Sequence, residues 1–292
     1  LIFRQEGIVT PHTLFPCYHG YISGRLKVGC HGHPSPISLK PALQTSCNAY
    51  FCWGLKSMID RKSKYGSTSK AFEVWKNHLV SMGYGYRLGI DLPSESRGFI
   101  PNSKFYDKVY GENHWKANTI ISIAIGQGEV LATPLQIANL CATIANRGYF
   151  YTPHVVKAVK GGKIDKAYRE KHVPTVSSNY YEEVAEGMRM AVTGGTCRRA
   201  EFSDSIKVCG KTGTAQNPHG KDHSAFMGFA PMENPKIAIA AYVENAGFGA
   251  TYGVPIGSLM MEKYLTGTVK RLDLEQSMKS ANTIIYSGVR KH

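Results

Sequence analysis

The stretch Val208-Cys209-Gly210-Lys211-Thr212-Gly213-Thr214-Ala215-Gln216 decides the fold of this 292-residue chain. Its β-prone beginning leads into small residues and one lysine, which predicts a strand whose backbone a ligand can approach closely. Gly213 has no side chain to block that approach, and Lys211 places a cation beside it. The hydroxyls of Thr212 and Thr214 are suited to hold a carboxylate. The stretch therefore predicts a strand that binds an anionic ligand.

Two more β-prone runs follow this strand, over 226–231 and 237–243, and turn residues bound each of them. Consecutive strands with short links favour an antiparallel arrangement. The sequence therefore predicts a three-stranded meander with the lysine strand first.

Composition and charge narrow the class of protein. Hydrophobic residues make up 42% and charged residues 19%, as in an ordinary globular protein, and we find no transmembrane run or signal peptide. The formal net charge is +14, but the basic residues are scattered, without interleaved aromatic residues. We therefore expect no nucleic-acid partner, and we interpret the charge as solvated faces or as attraction to an anionic membrane or cell wall.

A polar turn interrupts two predicted helices in the first part of the chain. A short helix over 39–44 is followed by Ser46-Cys47-Asn48 and then by a strongly apolar helix over 49–59. Side chains are expected to converge at such a turn. The sequence also predicts helices over 71–82, 179–192 and 254–265, and a strand over 149–160. A further helix is predicted to begin at Pro134, with Thr133 as its N-cap.

The order of these motifs is that of the serine acyltransferases that recognise penicillin, whose signatures are Ser-x-x-Lys, Ser-x-Asn and Lys-Thr-Gly. Ser46-Cys47-Asn48 and Lys211-Thr212-Gly213 match the second and third. Together with four neighbouring stretches, the chain resembles the penicillin-binding protein 2 family, the class B transpeptidases of cell elongation, from Leu1 to about Leu265. The four stretches are Leu26-Lys-Val-Gly-Cys-His31, Ile125-Gly-Gln-Gly128 with Thr133-Pro-Leu-Gln136, Gly194-Gly195-Thr196 and His223-Ser-Ala-Phe-Met-Gly-Phe-Ala-Pro231.

The resemblance implies the α/β fold shared by serine β-lactamases and penicillin-binding-protein transpeptidases, an antiparallel sheet packed between helices beside a mostly helical lobe. It divides the chain into a partial transpeptidase domain, 1–269, and a polar C-terminal tail, 270–292. The chain opens on an apolar helical start without methionine, so we expect that it begins within a helix of a longer protein. The family's nucleophilic serine heads such a helix, so its Ser-x-x-Lys is expected upstream of Leu1.

One Ser-x-x-Lys does occur, at Ser67-Thr68-Ser69-Lys70. It follows the Ser-x-Asn motif instead of preceding it, and it lies in a basic polar loop. A nucleophile needs its base held within hydrogen-bond reach by rigid structure. We therefore do not expect Ser67 to be the nucleophile, and we expect the chain alone to be inactive.

The resemblance also implies a role for each matched residue. Ser46 would relay a proton to the leaving amine, and Asn48 would orient the upstream lysine and the substrate amide. Lys211 would raise the local positive potential. Thr212 and Thr214 would bind the terminal carboxylate of the substrate, and the Thr214 N–H would supply half of an oxyanion hole.

The function implied is cross-linking of peptidoglycan stem peptides at a D-Ala-D-Ala terminus through a serine acyl-enzyme. It needs no catalytic cofactor, and β-lactams would acylate the enzyme. The expected location is the periplasmic face of the inner membrane, with an upstream anchor and cell-elongation membrane proteins as partners. Two alternatives stay open: a hydrolase of the D,D-carboxypeptidase or β-lactamase kind, and a non-catalytic penicillin-recognising module.

Four residues around the Ser46 turn have the spacing of a metal site. Cys17, Cys30, His33 and Cys47 form a Cys-x12-Cys-x2-His-x13-Cys pattern, and three thiolates with one imidazole are a common tetrahedral zinc set. The pattern predicts a structural zinc behind the turn, with the Cys47 side chain directed away from its neighbours.

Other pairings remain open for these residues. His31 and His19 compete for the imidazole position. A Cys17–Cys30 disulfide is the rival in an oxidising periplasm, and unlinked thiols are the third possibility.

Overall fold

The computed structural model describes residues 1–282, which form a helical lobe and two small antiparallel sheets. The helices are α1 (Ile2–Gln5), α2 (Leu39–Thr45), α3 (Asn48–Ile59), α4 (Lys62–Tyr65), α5 (Thr68–Ser81), α6 (Ser103–Tyr110), α7 (Pro134–Ala145), α8 (Tyr181–Gly194), α9 (Gly253–Thr266) and α10 (Leu272–Ser280). The strands are β1 (Gly20–Ser23), β2 (Leu26–Gly29), β3 (Cys209–Ala215), β4 (His223–Ala230) and β5 (Ile237–Val243). Among the described residues, none of the helices has the length and apolar character needed to span a membrane.

The predicted meander is confirmed. Strands β3, β4 and β5 pair antiparallel in that order, with Lys211 opposite Met227 and Gly213 opposite Ala225. Because β3 is an end strand of this sheet, its second edge is unpaired in the part of the chain that the structure describes.

Helices cover both faces of the sheet. Successive side chains of β4 point to opposite faces, so the strand contributes buried side chains to both sides. Phe229 packs with Cys141 and Ile144 of α7 on one face. Phe226 packs with Val254 of α9 on the other. Burial of each phenylalanine contributes about 1.5–3 kcal/mol. The expectation of an antiparallel sheet packed between helices is therefore confirmed.

The polar turn between α2 and α3 is also confirmed. Ser46 ends α2 in a left-handed conformation, with φ of +57°. Cys47 begins α3 as its N-cap, and its Sγ accepts the N–H of Tyr50. Helix α3 is fixed by its apolar side chains, since Tyr50 and Leu55 are fully buried. The turn is thus held by a buried helix on its far side.

The predicted strand over 149–160 is wrong. Phe150 forms an isolated bridge with His172, and no strand of the described residues includes this segment. Pro153 removes one backbone donor, and Val155 is 67% exposed, so its β-branched side chain has little to pack against. The backbone N–H of Val155 bonds to the Asp91 carboxylate instead.

The segment after Lys270 contains a helix that the sequence did not predict. Glu262 of α9 is 1% exposed, and its carboxylate accepts the N–H of Lys270 and pairs with the Arg271 guanidinium at 2.8 Å. These bonds fix the chain just before α10. The rest of the predicted polar tail, 283–292, lies outside the described residues.

Candidate active site

Lys211 lies at the centre of a cleft between the helical lobe and β3. Its Nζ donates to Ser46 Oγ at 2.7 Å and to the Thr212 carbonyl at 2.8 Å. Within residues 1–282, no carboxylate lies at ion-pair distance from this ammonium, and burial lowers the pKa of Lys211. An ammonium taken from water without an opposite charge is costly to stability. A lysine with a pKa shifted by burial inside a cleft is a candidate for a functional residue.

Ser46 and Asn48 reach the cleft because the chain turns sharply between α2 and α3. The left-handed conformation of Ser46 directs its hydroxyl towards β3. The Asn48 side chain donates to the Gly29 carbonyl at 2.8 Å. Cys47 lies between them, but its Sγ is 3.8 Å from Cys30 Sγ and accepts the N–H of Tyr50 at 3.4 Å. The turn thus presents two polar side chains on one side and a thiol on the other.

The free edge of β3 presents Thr212 and Thr214. The Thr212 carbonyl accepts from Lys211, and the Thr214 carbonyl accepts from Gln127 Nε2 at 3.0 Å. In an antiparallel strand the N–H and C=O of one residue point to the same side. The N–H groups of both threonines therefore also face the cleft edge. Gly213, between them, faces Ala225, and a Cβ added there would lie 3.2 Å from the Ala225 Cβ.

The threonine hydroxyls have partners from two loops. Thr212 Oγ1 donates to Thr196 Oγ1 at 2.9 Å, and Thr214 Oγ1 accepts the N–H of Gly249 at 3.3 Å. Thr196 thereby joins the group of hydroxyls that can meet a carboxylate.

Sequence reasoning did not assign functions to Thr196 or Gln127. Both lie in glycine-containing stretches that contribute to the resemblance, Gly194-Gly195-Thr196 and Gly126-Gln127-Gly128. The adjacent glycines are the available clue, since they mark backbone that turns or lies close to another segment.

The cleft has a volume of about 790 Å³, within the range of small-ligand sites. Its lining combines polar and apolar side chains. The polar lining residues include Ser46, Asn48, Gln127, Lys211 and Thr214, and the apolar lining residues include Ile125, Ile137, Leu140, Met227 and Ala240. His31 and Phe248 also line it, with ring centroids 6.0 Å apart.

The four predicted metal ligands meet behind the Ser46 turn. One ligand atom from each of Cys17, Cys30, His33 and Cys47 lies within 4.8 Å of the others. The His33 Nδ1 bonds to the Pro34 carbonyl at 2.8 Å, so Nε2 carries the lone pair. That Nε2 is buried and has no hydrogen-bond partner among residues 1–282. An orphaned imidazole nitrogen beside three thiols fits a zinc ligand set.

The thiol of Cys30 is the best placed to ionise. The hydrogen bond with Cys47 lowers the pKa of Cys30 below that of a free thiol. The backbone N–H groups of Asn48 and Ala49 also donate to Cys30 Sγ, at 2.9 and 3.4 Å. The same sulfur therefore contacts the backbone of the Ser46 turn.

The rival residues lie elsewhere. His31 contacts Phe248, and His19 is exposed before β1, so neither belongs to the thiol group. Ser67 caps α5 by accepting the Lys70 N–H at 3.2 Å. The Ser67-x-x-Lys70 spacing is thus that of a helix cap, and neither residue lines the cleft.

Comparisons with known proteins agree with this geometry. The family model described as the penicillin-binding protein transpeptidase domain matches residues 1–262. The peptidoglycan D,D-transpeptidase MrdA of Haemophilus influenzae is 30% identical over 92% of this chain and 43% of its own length. MrdA of Acinetobacter baumannii is 31% identical over 74% of this chain and 33% of its own length. The chain thus spans less than half of these relatives.

Solved structures show the same fold. The structure of Pseudomonas aeruginosa PBP2 in complex with WCK 5153 has a TM-score of 0.76 and 26% sequence identity to this chain. The match covers 93% of this chain and 58% of the Pseudomonas chain. The structure of Helicobacter pylori PBP2 has a TM-score of 0.71 and 25% sequence identity, and the match covers 91% of this chain and 49% of the Helicobacter chain. The expected fold and the resemblance to penicillin-binding protein 2 are both confirmed. This chain belongs to the penicillin-binding protein transpeptidase family.

Proposed function

We propose that the intact protein is a peptidoglycan D,D-transpeptidase that works through a serine acyl-enzyme. The observation that supports it most is the Lys211 ammonium, which has no acidic partner among the described residues and donates to Ser46 Oγ beside the free edge of β3. The family match and the relatives named D,D-transpeptidase favour the same reaction.

The nucleophile is proposed to come from sequence before Leu1. No Ser-x-x-Lys of residues 1–282 lines the cleft. The apolar lining of the cleft includes Ile137 and Leu140 of α7 and Met227 and Ala240 of the sheet. Such walls suit the apolar stripe of a helix. A helix there would place its serine and lysine next to Ser46 and Lys211.

Each polar group of the cleft then has a task in acyl transfer. The serine attacks the peptide carbonyl and gives its proton to the upstream lysine. An ester forms, and the C–N bond breaks as the lysine returns this proton to Ser46 and Ser46 passes its own proton to the leaving amine. The N–H of Thr214 stabilises the oxyanion, and loss of one such donor costs about 3 kcal/mol in comparable sites. An amine of a second stem peptide then attacks the ester, and the serine regains its proton.

The remaining residues position the substrate. The hydroxyls of Thr212 and Thr214 are proposed to hold its terminal carboxylate, and Gly213 lets the peptide lie close to β3. Lys211 attracts the anionic end and keeps the neighbouring lysine neutral by like-charge repulsion. Asn48, which lines the cleft, orients that lysine and the substrate amide.

Product analysis separates this function from its alternatives. The intact protein, given two stem peptides, is expected to form a covalent penicillin adduct and to join the peptides. Release of free acid without joined peptides would show a hydrolase. An intact protein that forms neither adduct nor product would be a non-catalytic module.

The proposed partners and location follow the relatives. Helicobacter pylori PBP2 has been solved in complex with MreC, and another structural neighbour is described as part of a peptidoglycan synthase complex. We propose that this protein acts at the periplasmic face of the inner membrane with membrane proteins of cell elongation. Stem peptides and β-lactams are its proposed ligands.

We also propose that Cys17, Cys30, His33 and Cys47 hold a structural zinc. The His33 Nε2 is buried and has no partner in the part of the chain that the structure describes. This favours zinc over a Cys17–Cys30 disulfide, because a disulfide would leave the nitrogen unsatisfied. A bound zinc would tie the segment after β2 to the turn that bears Ser46, and so hold the two cleft side chains in place.

Metal analysis tests the zinc proposal. The intact protein, purified without chelators, is expected to contain about one zinc per chain, and Cys30→Ser to lose it together with thermal stability. Cys141→Ser is the matched control, since Cys141 is fully buried in α7 and outside the thiol group. It should keep its zinc. A wild-type protein without zinc, with Cys17 and Cys30 oxidised on thiol titration, would contradict the proposal.

A further inference from the structure

Gln127 makes a contact that the proposed reaction does not explain. Its Nε2 donates to the Thr214 carbonyl at 3.0 Å, across the gap between the helical lobe and β3. Gly126 and Gly128 flank it with φ of +73° and +71°, a conformation that other residues rarely adopt. The two glycines thus present a half-buried carboxamide to the edge of the strand.

The Thr214 carbonyl, which accepts the Gln127 hydrogen bond, is also an acceptor that an extended ligand needs. A peptide that adds to a sheet edge bonds alternately to the N–H and C=O groups facing it. Both groups of Thr214 face the free edge of β3, and its N–H is the proposed oxyanion donor. A substrate that reaches this N–H therefore brings its own backbone beside the same residue's carbonyl.

We infer that Gln127 determines which ligands the cleft accepts, by competing with a substrate N–H for the Thr214 carbonyl. In the free protein the carboxamide satisfies this acceptor. A ligand with a matching N–H donor displaces it and replaces the bond, whereas a ligand without that donor leaves the Gln127 bond in place. The inference rests on the proposed function, because it concerns the same cleft.

The competition predicts the direction of a substitution. Gln127→Ala removes the competitor, so ligands with the N–H donor should bind better. One hydrogen bond between uncharged groups changes affinity by about three- to tenfold. If Gln127 instead helped to hold the substrate, the same substitution would weaken binding.

The experiment measures acylation of the intact protein by two β-lactams, one with and one without an acylamino N–H beside the reactive ring. Gln127→Ala is expected to speed acylation by the first about three- to tenfold and to leave the second unchanged. Gln127→Asn keeps an amide but is shorter by one methylene, so it should behave as the alanine variant does. Melting temperatures equal to that of the wild type would show that the loop is intact.

The outcomes separate this inference from the proposed function. Unchanged or slower acylation of Gln127→Ala by the first β-lactam would overturn the competition while the function stands. An equal gain with both β-lactams would also overturn it, because that result indicates a steric obstacle. A wild-type protein that neither β-lactam acylates would contradict the proposed function and this inference with it.

Discussion

Lys211→Ala in the intact protein is expected to slow acylation by penicillin at least about a hundredfold, or about 2.7 kcal/mol in the barrier. The ammonium lies 2.7 Å from Ser46 Oγ and has no acidic partner among the described residues, so its field acts on the cleft. Its loss would remove both the positive potential and the donor that orients the Ser46 hydroxyl. Stopped-flow or gel-based labelling with a fluorescent penicillin measures the rate.

Lys207→Ala is the matched control for this prediction. Lys207 precedes the same strand, is exposed and pairs with Glu233, so the substitution makes an equal change in net charge away from the cleft. Its acylation rate should stay within about twofold of the wild type, because exposed ion pairs contribute little. If Lys211→Ala were acylated at the wild-type rate, Lys211 would not belong to the site.

Ser46→Ala is expected to have a similar effect, again at least about a hundredfold. The substitution removes the proposed proton relay and leaves the Lys211 ammonium with the Thr212 carbonyl as its remaining partner in the structure. Since Ser46 and Lys211 share one hydrogen bond, their effects should not add. The double variant should be at most about tenfold slower than the slower single variant.

Ser57→Ala controls for the loss of a serine hydroxyl outside the cleft. Ser57 is exposed on α3, the helix that follows Ser46, and it does not line the cleft. Its acylation rate should match the wild type. Effects that multiply in the Ser46→Ala, Lys211→Ala double variant would contradict the coupling of these two residues through their shared hydrogen bond, even if each single variant were slow.

The parts of the fold that could be predicted are those determined by residues close together in the sequence. The meander follows from three β-prone runs with short links, and the turn at Ser46 follows from polar residues between two apolar helices. Helix α10 could not be predicted, because Lys270 and Arg271, just before it, are held by a buried carboxylate on the preceding helix. The prediction of a strand over 149–160 was wrong because a β-branched run needs a partner strand to pack with, and the sequence of the run does not show whether one is available.

The site shows the same division. Ser46, Asn48 and Lys211 belong to motifs that can be read along the chain, and the structure brings all three to one cleft. Gln127 lies 87 positions from Thr214, and nothing in its own stretch specifies the carbonyl it meets. The cluster of Cys17, Cys30, His33 and Cys47 could be predicted from the spacing of these residues. That the His33 Nε2 is buried without a partner among the described residues could be learned only from the structure.

Mapping the penicillin adduct tests the central claim most directly: that this cleft serves a serine nucleophile located before Leu1. The intact protein is incubated with a labelled penicillin and digested, and the labelled peptide is identified by mass spectrometry. The account predicts one adduct, on the serine of a Ser-x-x-Lys upstream of Leu1, and no adduct on the 292-residue chain alone. A labelled residue within this chain, and above all a label abolished by Ser67→Ala, would contradict it.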